Sequence, residues 1–213
     1  MKRFISYSLA LLVLLAGISV FGDDQKGTTK KVSTDKPKKE TGEAGKTFPI
    51  RNKDNKFVTL ETSMGKMTLE LYHDVAPGHA DSFLVLTKKG FYNGLKFHRV
   101  IDKFMIQGGD PNGDGSGGAG YTLKAEFSKL PHLEGTLSAA RANDPNSASS
   151  QFFICLDAAP HLDGQYTIFG HLIHGYEVLH KIGSTKTGPN DKPVVDVVIV
   201  KAFQSDSKGN PIK

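Results

Sequence analysis

Phe97-His98-Arg99-Val100-Ile101-Asp102-Lys103-Phe104-Met105-Ile106-Gln107-Gly108-Gly109-Asp110 is the stretch on which the fold turns. It holds two short apolar runs, Phe97 to Val100 and Phe104 to Gln107, parted by Asp102-Lys103 and closed by paired glycines. Runs of that length between turn-forming residues read as β-strands rather than helix. The same pattern recurs on either side. Upstream, Val58-Thr59-Leu60 and Met67-Thr68-Leu69-Glu70-Leu71 alternate as half-buried strands do, with Met64-Gly65 as the hairpin turn between them. Downstream, Thr136 to Ala139, Phe152 to Leu156, Thr167 to Gly170 and Val194 to Phe203 are further strand-like runs. Two segments have helical character. One follows a capping Asp74, with Pro77 in its first turn, an apolar face of Ala80, Phe83, Leu84 and Leu86, and Gly90 at its end. The other spans Tyr176 to Lys181 and is closed by Gly183. Many short strands and few helices predict a closed or near-closed antiparallel sheet.

The whole chain has 213 residues, a net charge of +5 and a mean hydropathy of -0.29, which suits one globular domain with appendages. The charge is unevenly placed. Residues 1 to 56 carry 12 Lys/Arg and 6 Asp/Glu, a net of +6, which leaves the remainder at −1. A surface that tracks phosphates needs clustered positive charge, and the folded part has no such run, so no nucleic-acid partner is expected. The N-terminus reads as an export signal over residues 1–22: Lys2 and Arg3, then the apolar stretch Phe4 to Phe21, then a cleavage site at Val20-Phe21-Gly22. A periplasmic or secreted location follows. The apolar stretch is also near the length that spans a bilayer, so an uncleaved anchor is the alternative, and the one route to a membrane. Residues 23–55, rich in Lys, Thr and Gly and nearly free of large apolar side chains, read as a flexible linker. The folded domain is expected over 56–204, with a C-terminal tail at 205–213.

Several motifs mimic sites. Gly113-x-Gly115-x-x-Gly118 has dinucleotide-loop spacing, but no helix-length segment follows it and no Gly-Lys-Ser/Thr ends it. Asp110-x-Asn112-x-Asp114-Gly115 opens like a calcium loop, yet Tyr121 stands where a bidentate Glu belongs. His171 and His174 lack further ligands and read as surface or capping histidines near the start of a helix. Cys155, the single cysteine, lies in an apolar run and reads as a small buried hydrophobe. No cofactor and no metal are expected.

The opening stretch acquires a further meaning beside Asp144-Pro145-Asn146-Ser147-Ala148-Ser149-Ser150-Gln151-Phe152-Phe153-Ile154 and His161-Leu162-Asp163-Gly164-Gln165-Tyr166-Thr167-Ile168-Phe169-Gly170. In order and separation these blocks resemble the signature of cyclophilins, peptidyl-prolyl cis-trans isomerases, over about residues 57 to 203. The resemblance implies a mainly β fold: a closed eight-stranded antiparallel barrel with two flanking α-helices and an active site on its outer face. Matched position by position, it makes Arg99 the catalytic arginine. Phe104, Met105, Phe153 and Leu162 become a proline pocket, and Gln107 the residue that fixes the substrate, with Phe104 and Gln107 counted beside Arg99 as catalytic. Ile101, Ala140 and Gln151 line the groove, and a backbone amide near Ala142 helps hold the substrate carbonyl. Between Leu137 and Pro145 the chain has one residue more than the animal cytosolic pattern. His161 stands where many eukaryotic members have Trp, and Tyr166 where they often have His; bacterial members vary there too.

On this reading the chain is a bacterial-like, exported, monomeric foldase. Its partners are unfolded or extended polypeptides containing proline, and it binds cyclosporin weakly because the family's Trp matters for that ligand. The rival is a chaperone module that holds proline segments with little turnover. Taken without the resemblance, Phe104, Met105 and Phe153 read equally well as core, and Arg99 as a surface ion-pair member. His98 reads as structural, since nothing in bond rotation needs an acid or base.

Overall fold

The computed structural model describes residues 50–212. The predicted export signal and all of the linker before residue 50 lie outside the described residues. No helix among the described residues is long and apolar enough to cross a membrane.

The chain forms β1 (Lys56–Thr62), β2 (Gly65–Leu71), α1 (Pro77–Lys88), β3 (Arg99–Ile101), β4 (Met105–Gly108), β5 (Thr136–Ala139), β6 (Phe152–Cys155), β7 (Ile168–His174), α2 (Tyr176–Gly183) and β8 (Ile199–Ser205). The strands make one curled antiparallel sheet in the order β3-β4-β6-β5-β7-β2-β1-β8. The closed barrel is corrected by this order: β3 and β8 are open edges, with no ladder between them. An isolated bridge from Lys96 to Val198 spans the seam, with Phe97 N donating to Val197 O and Ile199 N to Leu95 O. Gly94 turns the chain at φ 81°, which leaves too short an extended run before β3 for a full ladder.

Inside the curl, Val58, Leu60, Met67, Leu69, Ile106 and Phe152 form the main core. α1 packs on β7 and β8, and α2 on β2, β3 and β4. The first helix is capped differently from the sequence expectation. Ala76, not Asp74, precedes it, and its free amides at Gly78 and His79 donate to the carboxylate of Glu126, 48 and 47 residues away. Asp74 instead accepts from Arg51 Nε at 3.3 Å.

β1 and β2 are buried on both faces, not half-buried, because residues 50–55 and 205–211 cover them. Glu70 accepts from Arg51 N, Asn52 N and Asn55 Nδ2, which ties down residues assigned to the linker. Thr59 Oγ1 bonds Thr68 Oγ1 and donates to Ser205 Oγ, and Ser205 bridges to Pro211, so the tail folds back over the sheet. Gly209 sits close enough to Thr68 that an added Cβ would lie 2.8 Å from its hydroxyl. His171 is a second correction: it is a buried residue of β7, and burial drives its pKa down to about 4.

Candidate active site

Strand register assembles the site. In antiparallel neighbours, Arg99 of β3 lies opposite Gln107 of β4, Gln107 opposite Phe153 of β6, and Phe153 opposite Ser138 of β5. The next row is Ile101, Met105 and Cys155. Side chains alternate faces along a strand, so these residues share the outer face while Val100, Ile106, Phe152 and Ile154 turn into the main core. The outer rows make a second apolar cluster of Met105, Phe153, Cys155, Ala159 and Leu162, with Ile101, Phe104, Ala140 and Tyr166 packed against it.

Over this cluster opens a recess of about 260 Å³ lined by Arg99, Phe104, Met105, Gln107, Ala140, Arg141, Phe153, Leu162 and Tyr166. The recess thus brings together Arg99, Phe104, Met105, Gln107, Ala140, Phe153, Leu162 and Tyr166 of the residues singled out in the sequence. Ile101, half-buried, packs against the cluster and is not among the residues that line the recess. His161 stands at the margin, its ring 5.4 Å from that of Phe104. Gln151 and Ala142 line an adjoining recess of about 230 Å³, reached past Gln107 and Ala140.

Arg99 is 43% exposed, and its Nε donates to Asp191 Oδ2 at 3.3 Å; Asp191 is itself 46% exposed. The guanidinium therefore borders the recess and is not sequestered by a buried acid. Gln107 Nε2 donates to Gln151 Oε1 at 3.0 Å, and Gln151 Nε2 donates to the carbonyls of Gly115 and Gly117. This chain of amides ties the glycine loop to the sheet. Inside that loop the carboxylate of Asp110, 1% exposed, accepts from the amides of Asn112, Asp114 and Gly115. The calcium-like and nucleotide-like spacings thus serve a loop that folds around its own aspartate. Among the described residues, no three His, Cys, Asp or Glu side chains are grouped to hold a metal ion.

The Ala142 amide itself donates to Ser147 Oγ at 3.0 Å, closing its own loop.

Three residues escaped the sequence reading. Arg141 lies over the Tyr166 ring at 4.5 Å and donates to the carbonyls of Gln165, Ala142 and Asn143, bracing the wall of the recess. Its neighbourhood is where the chain has its extra residue, so matched positions gave no role to carry over. Asp191 comes from a turn 92 residues after Arg99. His132 stacks under Phe153 with ring centroids 6.1 Å apart; its Nδ1–H donates to Asp163, and Nε2 lies 3.1 Å from Ser138 Oγ. Burial lowers the His132 pKa against the pull of Asp163. The Ser–His–Asp order is not a nucleophile: Ser138 is fully buried and donates to Thr167 O at 2.9 Å. His98, by contrast, is buried as expected of a structural residue.

The family described as "Cyclophilin type peptidyl-prolyl cis-trans isomerase/CLD" matches residues 57–204. Peptidyl-prolyl cis-trans isomerase-like 1 of Homo sapiens is 46% identical over 153 residues, covering 70% of this chain and 92% of its own length. Peptidyl-prolyl cis-trans isomerase ppi1 of Schizosaccharomyces pombe is 46% identical over 150 residues, covering 68% and 96%. A crystal structure of a cyclophilin type peptidyl-prolyl cis-trans isomerase from Cryptosporidium parvum superposes with a TM-score of 0.69 at 34% identity, over 72% of this chain and 99% of that one. The same parasite protein, crystallised in the presence of the dipeptide ala-pro, gives 0.68 at 35% identity over 71% and 99%. These relatives are eukaryotic and lend nothing to the bacterial-like expectation.

Proposed function

Because the chain belongs to the cyclophilin-type peptidyl-prolyl cis-trans isomerase family, we propose that its recess seats a proline ring and that Arg99 catalyses rotation of the preceding peptide bond. Twisting that bond costs about 18–20 kcal/mol because amide resonance is lost. Left alone, X-Pro isomers exchange over tens of seconds or longer. In the twisted state the proline nitrogen becomes pyramidal and regains a lone pair. A fixed N–H donor then binds it better than it binds the planar ground state, which is differential transition-state binding.

Arginine suits the task, since it stays charged at all relevant pH and offers several donors in a rigid plane. Bringing tens of seconds to milliseconds takes about 10⁴-fold, or roughly 5.5 kcal/mol. A charged hydrogen bond in a partly dry site, with orientation, supplies that order. Met105, Phe153 and Leu162 form a dry floor for the ring, with the half-buried Phe104 beside it. Gln107, held by Gln151, retains polar capacity for the substrate's backbone.

The observation that carries the proposal is Arg99 on the rim of a recess floored by those apolar side chains. The dipeptide used with the parasite protein supports proline-containing polypeptides as the ligands. The charged start and apolar run of residues 2–21 support action on exported chains, in a periplasmic or secreted setting or from a membrane anchor. A protease-free proline-peptide isomerisation assay of the parent and Arg99→Ala tests the mechanism. Arg99→Ala is expected to lose most of the rate while keeping its fold; equal rates remove Arg99 from the chemistry, and binding without turnover in the parent makes the domain a holding module.

A further inference from the structure

Asp191 ends the short turn Pro189–Asp191, in which Asn190 and Asp191 take φ of 60° and 59°. Neither is glycine, and two consecutive left-handed L-residues are unfavourable. Such a conformation persists when its surroundings impose it, and it marks positions worth a functional question. Here Gly188 N donates to Lys192 O, Val194 N donates to Lys186 O, and a bridge pairs Thr187 with Pro193. The hairpin so closed delivers the Asp191 carboxylate to Arg99 Nε.

The atom it engages matters. Nε is the inner nitrogen of the guanidinium, and Asp191 is the hydrogen-bond partner of that group among the described residues. Among the described residues neither terminal nitrogen has a hydrogen-bond partner, and the Arg99 side chain lines the recess. An arginine this exposed otherwise samples many rotamers, most of which carry the terminal donors away from the slot. As a stabilising contact the pair is weak, since exposed ion pairs contribute little. Its value lies in orientation.

We infer that Asp191 is a positioning residue for the isomerase reaction, holding Arg99 by Nε so that its terminal donors face the proline nitrogen. The inference rests on the proposed role of Arg99. It predicts a loss in the chemical step and not in ground-state binding, because the held donors act on the twisted amide.

Two glycine variants separate this from a role in folding. Asp191→Gly accepts the positive φ without strain and deletes the carboxylate. It is expected to keep or raise Tm, to lower kcat by up to about fivefold as Arg99 regains rotamer freedom, and to leave KM unchanged. Asn190→Gly relieves the same strain next door and is expected to keep full kcat. Asp191→Asn tolerates the backbone and keeps an acceptor oxygen, so it recovers most of the rate. Full kcat in Asp191→Gly, an equal loss in Asn190→Gly, or a loss confined to KM overturns the inference. Arg99→Ala, run alongside, distinguishes the two levels: if it too retains full rate, the proposed mechanism falls; if it is inactive while Asp191→Gly keeps full kcat, only the role of Asp191 falls.

Discussion

Phe152 and Phe153 are neighbours in β6 that face opposite ways, and truncating each to Leu tests whether the outer cluster is a site or merely a second core. Phe152 is fully buried, with rings of Phe83, Tyr92 and Phe97 edge-on at 5.3, 5.7 and 6.2 Å. Each such aromatic pair contributes about 0.5–1.5 kcal/mol beyond area burial, so losing all of them costs about 2–4 kcal/mol. Phe153 has a single edge-on partner, Tyr166 at 5.9 Å, and lies over His132 while lining the recess. Its truncation costs about 1 kcal/mol on the same scale. In urea titrations Phe152→Leu is therefore the less stable variant by a clear margin, with Tm lower by several degrees; at about 2–4 °C per kcal/mol the difference is easily read. In the isomerase assay the order reverses. Phe153→Leu loses kcat/KM because the proline floor is reshaped, and Phe152→Leu, assayed where it is folded, keeps it. The reasoning is refuted if Phe153→Leu is as destabilised as Phe152→Leu and still turns over at the parent rate.

Acidification is expected to destabilise the domain through His171, whose burial lowers its pKa from 6.5 to about 4. Between those values the unfolded chain takes up a proton that the folded chain refuses. The stabilisation is complete above the unfolded value and is lost as pH falls towards the folded one, about 3 kcal/mol for a gap of this size. Burial lowers His98 and His132 in the same direction. Urea titrations at pH 7 and about 4.5 check this; a His171→Gln variant as pH-sensitive as the parent contradicts it. Burial, with Asp163 adding to it, pushes the Cys155 thiol up to about 12. Ellman's reagent is therefore expected to leave native protein untouched and to react in denaturant; rapid native labelling means β6 opens. Calorimetry is expected to give micromolar or weaker affinity for cyclosporin, since His161, its ring 5.4 Å from that of Phe104, stands where the resemblance to cyclophilins leads one to expect Trp; a nanomolar Kd overturns that.

What the sequence made legible was whatever lies within one strand or one matched block. Arg99, Phe104, Met105 and Gln107 sit within nine consecutive residues, and their alternation already assigns them to one face or the other. Phe153 and Leu162 follow from blocks that keep their spacing. The misses are long-range. Glu126 caps α1 from 48 residues away, in a segment with no regular structure, and displaces the local candidate Asp74. His171 read as a surface or capping residue because the strand-like run was ended at Gly170, close to the helix at Tyr176, whereas β7 runs on to His174. The barrel's closure depends on whether residues 94–98 stay extended, which a turn at Gly94 decides and a count of apolar runs does not. Coverage of β1 and β2 by residues 50–55 and 205–211 was invisible for the same reason: polar, turn-rich ends look like tethers until Glu70 and Thr59 supply partners for them.

The sheet also explains how one surface can be rigid and exposed together. An outward apolar cluster beside an open recess has solvent on one side and should be the softer part of the sheet. Here its residues alternate with main-core residues along β4 and β6, so Met105 cannot shift without moving Ile106, nor Phe153 without Phe152 and Ile154. The register that puts Arg99, Gln107 and Phe153 in line is the same register that closes the core, and a slip by one residue would exchange the two faces outright. Selection for a well-packed interior therefore holds the recess in shape. What the core cannot fix is the far end of a long, exposed side chain. Register places the Cα of Arg99, but its guanidinium lies beyond the reach of the sheet and must be held by something outside it. The amide chain from Gln107 through Gln151 to the glycine loop steadies one rim of the recess, and the strained turn ending at Asp191 grips the other.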